Sequence, residues 1–155
     1  MSAVALRWLR LLLAAVPMAM VVVTVLDVLG RRIDRPLPGA IEIIELLMGL
    51  LVFGALPLVT AERGHVTVSL FDEMLGPRLL LWRDRLVAGL SAVVLGVVAW
   101  RLADKGAELF GFGDRSTYLG VPLAPLALFM ALMAAASALL LLREALVPPP
   151  GRSAS

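Results

Sequence analysis

Four long apolar runs separated by charged breaks set the layout of this chain. Residues 11–26 carry no charge, with Arg7 and Arg10 before them and Asp27 after. Further uncharged runs cover residues 46–61, 86–100 and 117–142. A helix needs roughly 20 apolar residues to cross about 30 Å of hydrocarbon. The pattern therefore predicts an all-α integral membrane protein with transmembrane helices over residues 9–29, 40–61, 84–106 and 118–142. The first run begins like a signal peptide, but it stays apolar to Leu29 with no small-residue cleavage site behind it, so an uncleaved span is expected. Pro17 inside it removes one helical hydrogen bond and predicts a kink.

The breaks between the runs are informative. Asp27 and Arg31 stand i, i+4 with the acid first, the favourable order for a pair at a helix end. Residues 30–39 contain Arg31, Arg32, Asp34, Arg35, Pro36, Pro38 and Gly39, a polar turn short enough to make the first two spans antiparallel neighbours. After Glu62, Arg63, Gly64 and His65, residues 65–70 alternate apolar and polar. A lone strand beside a bilayer leaves backbone groups unpaired, so a short amphipathic interfacial helix over 66–75 is expected instead. It sets Val68, Phe71 and Leu75 against Ser69, Asp72 and Glu73, and Gly76 with Pro77 ends it. The third span, helical from soon after Pro77 to Gly106, is about 45 Å long at 1.5 Å per residue, longer than the membrane. Its Arg78, Arg83, Asp84 and Arg85 end is expected in water, with Trp82 and Trp100 near the two interfaces. Residues 107–116 read as a loop, and residues 148–155 as a disordered tail.

Two small-residue faces stand out. Gly89, Ala92, Gly96, Ala99 and Ala103 form one on the third span, and Ala127, Ala131, Ala134 and Ala138 form one on the fourth. Such faces let helices approach closely, within the chain or against a partner subunit. Both readings stay open at this stage.

Composition agrees with the pattern. Hydrophobic residues make up 61% and charged ones 17%, against roughly 45–50% apolar usage in soluble domains. The net charge of +2 comes from basic residues scattered between apolar runs, without the basic stripe that nucleic acid requires. With no cysteine and one histidine, thiolate metal sites, disulfides and bis-imidazole haem ligation are excluded within the chain. No nucleophile motif or phosphate-cradling glycine loop is present, so an enzyme is not expected. Four spans put both termini on one side. Placing them in the cytoplasm leaves eight of the 14 basic residues inside, so the positive-inside preference points that way.

Glu42 and Glu45 are the sharpest polar candidates. As ionisable groups at membrane depth they could belong to an ion or proton path. In the first turn of the second span they could instead stabilise the helix N-terminus and pair with Arg31 or Arg32. Arg63, Gly64 and His65 could hold an anion, or could cap the second span, with Gly64 as the cap and Arg63 at the carbonyl end.

The arginine-bearing turn, Pro36-x-Pro38-Gly39, the glutamate-led second span and the sequence Arg63-Gly64-His65-Val66-x-Val68 resemble the small permease subunit of TRAP transporters, the DctQ-type family. The resemblance is densest from Asp27 to Leu75 and looser later, where Gly120-Val121-Pro122-Leu123 is similar. It implies a bacterial inner-membrane scaffold for a large multi-span permease, served by a periplasmic substrate-binding protein. It also implies uptake of an organic acid such as a dicarboxylate, with a sodium gradient acting through the large subunit and no cofactor in this chain. Arg32, Gly39, Glu42, Glu45, Arg63, Gly64 and His65 match motif positions, and the resemblance gives them the role of fixing the first hairpin, the interfacial helix and the subunit contact. The chain departs at Ser69, where the family often carries an acid. Competing readings are the small subunit of a tripartite tricarboxylate transporter, a self-sufficient four-span transporter, and a respiratory membrane anchor. The uncharged span centres argue against the second, and the single His65 against the third.

Overall fold

A computed structural model of the chain describes residues 3–61 and 77–146. The expected interfacial helix over 66–75, the Arg63, Gly64 and His65 bend, and the expected tail over 148–155 lie outside the described residues. Four helices carry the fold: α1 (Ala3–Arg32), α2 (Ala40–Ala61), α3 (Pro77–Phe112) and α4 (Ala124–Leu146). All four contain stretches long and apolar enough to cross a membrane. Among the described residues the single β feature is an isolated antiparallel bridge between Arg115 and Pro122.

The helix ends follow local chemistry. At the end of α1, Asp34 takes the left-handed conformation (φ 54°), and the Arg35 N–H folds back to the Gly30 carbonyl at 2.9 Å. This is a Schellman-type stop with Asp34 at the left-handed position. The returning chain lies so close over Gly30 that a Cβ there would run into the Arg35 carbonyl oxygen. The end of α3 repeats the device. Gly113 has φ 66°, its N–H donates to Phe110 at 3.3 Å, and Asp114 N–H donates to Leu109 at 3.1 Å. Helix α3 therefore runs through residues 107–112, where a loop is expected from the glycines, and it turns at Gly113. Gly111 stays helical, following good helix formers such as Ala107, Glu108 and Leu109. Helix α4 begins at Ala124, later than the uncharged run suggests, because residues 114–123 form a tight turn first. Pro125 then sits in the first turn, where a missing N–H costs nothing. Pro17 and Pro57 lie inside α1 and α2, and both helices continue through them.

The helices pack in a row. Among the described residues α1 packs on α2, α2 on α4 and α4 on α3, and no other pair of helices brings its backbones close together. The core lies along α4, whose buried residues are Ala124, Ala127, Ala131, Ala134, Ser137 and Leu141. Small side chains at these positions let both neighbours come close. A Cβ on Gly106 of α3 would lie 2.8 Å from Leu128 Cδ2, and one on Gly49 of α2 would lie 3.5 Å from Met130 Sδ. The Ser137 hydroxyl donates to the Met133 carbonyl at 3.0 Å, which satisfies a buried polar group inside its own helix.

The small-residue face of α3 divides in two. Ala92 and Ala99 are buried and, with Gly106, repeat every two turns toward α4. Around Gly89 and Gly96 nothing lies within 4 Å of where a Cβ would be. Overpacking a close helix contact costs about 1–3 kcal/mol, so Gly106→Val is expected to destabilise the folded chain by that order. Gly96→Ala is expected to be neutral or stabilising by up to ~1 kcal/mol. Unfolding of the two variants by SDS titration in mixed micelles checks this pair.

Candidate functional site

The α1–α2 and α3–α4 connections lie at the same end of the row, and two carboxylates organise them. Asp27, in the last turns of α1, accepts a hydrogen bond from Arg31 Nε at 2.8 Å on one oxygen and from the Leu37 N–H at 3.1 Å on the other. Its side chain is 13% exposed. One acid thus holds both the helix end and the far side of the turn. The expected i, i+4 pair is present, and it serves to close the loop.

Glu42 does the same between the two hairpins. Gly39 starts α2 with φ 78°, and its carbonyl accepts from the Ile43 N–H at 3.0 Å. Glu42 then lies in the first helical turn and points away from its own chain. Its Oε1 accepts from the Tyr118 N–H at 3.0 Å, and its Oε2 accepts from the N–H groups of Tyr118 at 3.2 Å and Leu119 at 3.0 Å. A β-branched or larger residue at Gly39 would collide here, since a Cβ would lie 3.0 Å from Leu119 Cγ and 3.3 Å from Tyr118 Cβ.

The turn that presents these amides is built locally. Ser116 N–H donates to the Val121 carbonyl at 2.9 Å, Gly120 N–H donates to the Ser116 carbonyl at 3.1 Å, and Leu123 N–H donates to the Asp114 carbonyl at 3.2 Å. Val121 N–H donates to Ser116 Oγ at 3.3 Å, and Gly120 adopts φ 64°. Folding the backbone this tightly leaves the Tyr118 and Leu119 N–H groups at the tip facing outward. A carboxylate is the acceptor that fits two adjacent amides, and charge-assisted bonds of this kind are roughly twice as strong as neutral ones.

The sequence candidates separate accordingly. Gly39 and Glu42 come together with the α3–α4 turn. The pairing of Glu42 with Arg31 or Arg32 gives way to these amides, and Arg31 is engaged by Asp27. Glu45 is exposed nearly one turn further along α2, and Arg32 is exposed at the end of α1. Ser116, Tyr118 and Leu119 carry no sequence signal for this role, because the contact spans 76 residues and uses backbone groups. Among the described residues no cluster of three His, Cys, Asp or Glu side chains is placed to hold a metal ion.

Four membrane-length helices tied at one end by loop contacts define a multi-pass membrane protein. Residues 20–148 match the family described as "Tripartite ATP-independent periplasmic transporters, DctQ component", and the chain belongs to that family. The family is a transporter component and not an enzyme family. No curated protein and no solved structure matches the chain.

If Glu42 seals the turn, Glu42→Ala is expected to speed hydrogen exchange at the Tyr118 and Leu119 amides by roughly an order of magnitude, because their protection is local. Glu45→Ala is expected to leave both rates unchanged. Amide exchange of the detergent-solubilised chain, followed by NMR, measures each directly.

Proposed function

We propose that this chain is the small membrane subunit of a TRAP transporter and scaffolds a large multi-span permease during sodium-coupled uptake of an organic acid such as a dicarboxylate. The large subunit carries the coupling sodium and the substrate, a periplasmic binding protein delivers the substrate, and the small subunit catalyses no reaction and holds no cofactor. It resides in the bacterial inner membrane with both termini in the cytoplasm. Membership of the DctQ family over residues 20–148 carries this reading.

The row of helices supports it. A helix row buries little of its own surface: Leu13 is the one described α1 side chain classed as buried, and the outer face of α3 around Gly89 and Gly96 has no neighbour. Both edges therefore offer membrane-embedded surface to a second subunit. Asp27, Gly39 and Glu42 fix the loops at one end, which suits a part whose task is to hold a shape. Arg32, Glu45, Arg63, Gly64 and His65 complete the frame in this proposal, and the Gly89, Ala92, Gly96 and Ala99 face contributes packing surface.

Co-expression with a large TRAP permease subunit is expected to yield one complex on an affinity tag carried by this chain. Proteoliposomes holding the complex and supplied with binding protein are expected to take up labelled acid under a sodium gradient, while proteoliposomes holding this chain alone take up none. Uptake by the chain alone would identify it as a self-sufficient transporter.

A further inference from the structure

We infer that the helix row sits tilted in the bilayer, so that lipid headgroups meet α3 near Trp100 and Arg101 but meet α2 near Glu42 and Glu45, at clearly different levels of the bundle. This rests on the chain's being a multi-pass membrane protein and not on the scaffold reading.

The levels follow from close contacts. A Cβ on Gly106 would touch Leu128 of α4, and one on Gly49 of α2 would lie 3.7 Å from Leu126 and 3.5 Å from Met130. Gly49, Leu128 and Gly106 therefore stand side by side across the row. From that level Glu45, the last acid of α2, lies one turn toward the connected end. Arg101, the first charge after the apolar run of α3, lies more than one turn the other way. At 1.5 Å per residue the two charge boundaries are offset by about 14 Å.

An upright row would place Arg101, Asp104, Lys105 and Glu108 beside hydrocarbon, because α2 and α4 are uncharged at those levels. All four are exposed on α3. Arg101 lies over the Trp100 ring at 5.8 Å, and Lys105 pairs with Glu108 at 2.8 Å. A long arginine can reach several ångströms back to the headgroups, but the short Asp104 side chain cannot. Charges at such depth are expensive and normally face water or other protein.

The opposite end of the bundle gives an independent reading. Ala92 of α3 and Leu142 of α4 are equally far along their helices from the Gly106 and Leu128 contact, and α4 becomes charged at once after Leu142, with Arg143 and Glu144. Helix α3 continues apolar past that level, exposing Leu90, Val87 and Leu86, until the charges of Arg85, Asp84 and Arg83. The overshoot is about 9 Å at the helical rise. At one end α3 turns polar too early for the row, and at the other it stays apolar too long. A uniform slab of hydrocarbon accommodates both if it crosses the row obliquely.

Two exposed tryptophans mark where that slab crosses α3. Trp82 is 65% exposed and Trp100 is 67% exposed, and they are about 27 Å apart along the helix. Both stand near the ends of the apolar stretch of α3, in the interfacial position that tryptophan favours. Helix spacings of about 8–10 Å put α2 and α3 nearly 20 Å apart, so the offset corresponds to a tilt of about 35°, within the roughly 0–40° range of membrane helices.

The chain contains no cysteine, so single cysteines report accessibility cleanly. Val52→Cys on α2 and Ala103→Cys on α3 are both exposed and stand near one level. With the full chain expressed alone in native membranes, a membrane-impermeant maleimide applied to both faces is expected to label Ala103→Cys roughly tenfold faster than Val52→Cys, because hydrocarbon suppresses formation of the reactive thiolate. Leu90→Cys is expected to be protected, and all three label fully in detergent. Equal protection at Ala103→Cys and Val52→Cys, or fast labelling at Leu90→Cys, overturns the tilt. A second reading needs no cysteine: in a Trp8→Phe, Trp82→Phe variant, Trp100 is expected to be quenched more by lipids brominated near the headgroup than by lipids brominated near the chain ends. The reverse order overturns the proposal.

Discussion

Close backbone approach along α4 is the contact on which the rest of the fold depends. In lipid there is little hydrophobic drive between helices, so they associate through packing of complementary surfaces and a few polar contacts. The buried alanines of α4, at 124, 127, 131 and 134, supply a surface low enough for two helices to use at once. Among the described residues α2 and α3 do not bring their backbones close together. Helix α4 therefore joins the two hairpins inside the membrane, and a bulky residue on its small face would separate both neighbours.

Polar contacts hold the connected end. Backbone N–H groups near a bilayer need acceptors, because water becomes scarce as the chain enters hydrocarbon. Asp27 and Glu42 provide them from helix termini, each reaching a stretch of chain that reverses direction. Asp27 closes its own hairpin, whereas Glu42 reaches across to the other one. The Glu42 contact and the α4 packing surface thus restrain the same pair of hairpins at different depths, one through charge-assisted hydrogen bonds and the other through dispersion.

What could be read from the sequence was what depends on local composition. The four helices follow from the length of uncharged runs, the start of α2 from Gly39, and the Asp27 and Arg31 pair from i, i+4 geometry. Gly111 and Gly113 look alike as residues, and only the left-handed conformation at Gly113 distinguishes a helix stop from a helical glycine. Likewise, the i+3/i+4 pattern on α3 contains two interleaved series. Tertiary packing selects Ala92, Ala99 and Gly106 for α4 and leaves Gly89 and Gly96 outside. The partner of Glu42 was invisible because backbone amides have no sequence signature and these ones belong to a distant turn. The interfacial positions of Trp82 and Trp100 could be read from the apolar run between them, but an oblique placement of the row could not, since it depends on the register of α3 against α4 and α2.

The geometry of Glu42 also bears on whether the second span carries ions. A coupling carboxylate has to bind and release its ligand at low cost, with lone pairs available in at least one state. Both oxygens of Glu42 accept backbone N–H bonds, three contacts in all, and releasing them would leave the Tyr118 and Leu119 amides to find other acceptors at the membrane rim. Its position adjacent to the Gly39 turn keeps it away from the middle of α2, where an alternating ion site would need to lie. Glu45 is exposed and sits on the same side of the uncharged run. An ion path would have to pass the uncharged remainder of α2 without another ionisable group from that helix. Glu42 is thus better suited to fixing the connected end of the fold than to moving charge through it.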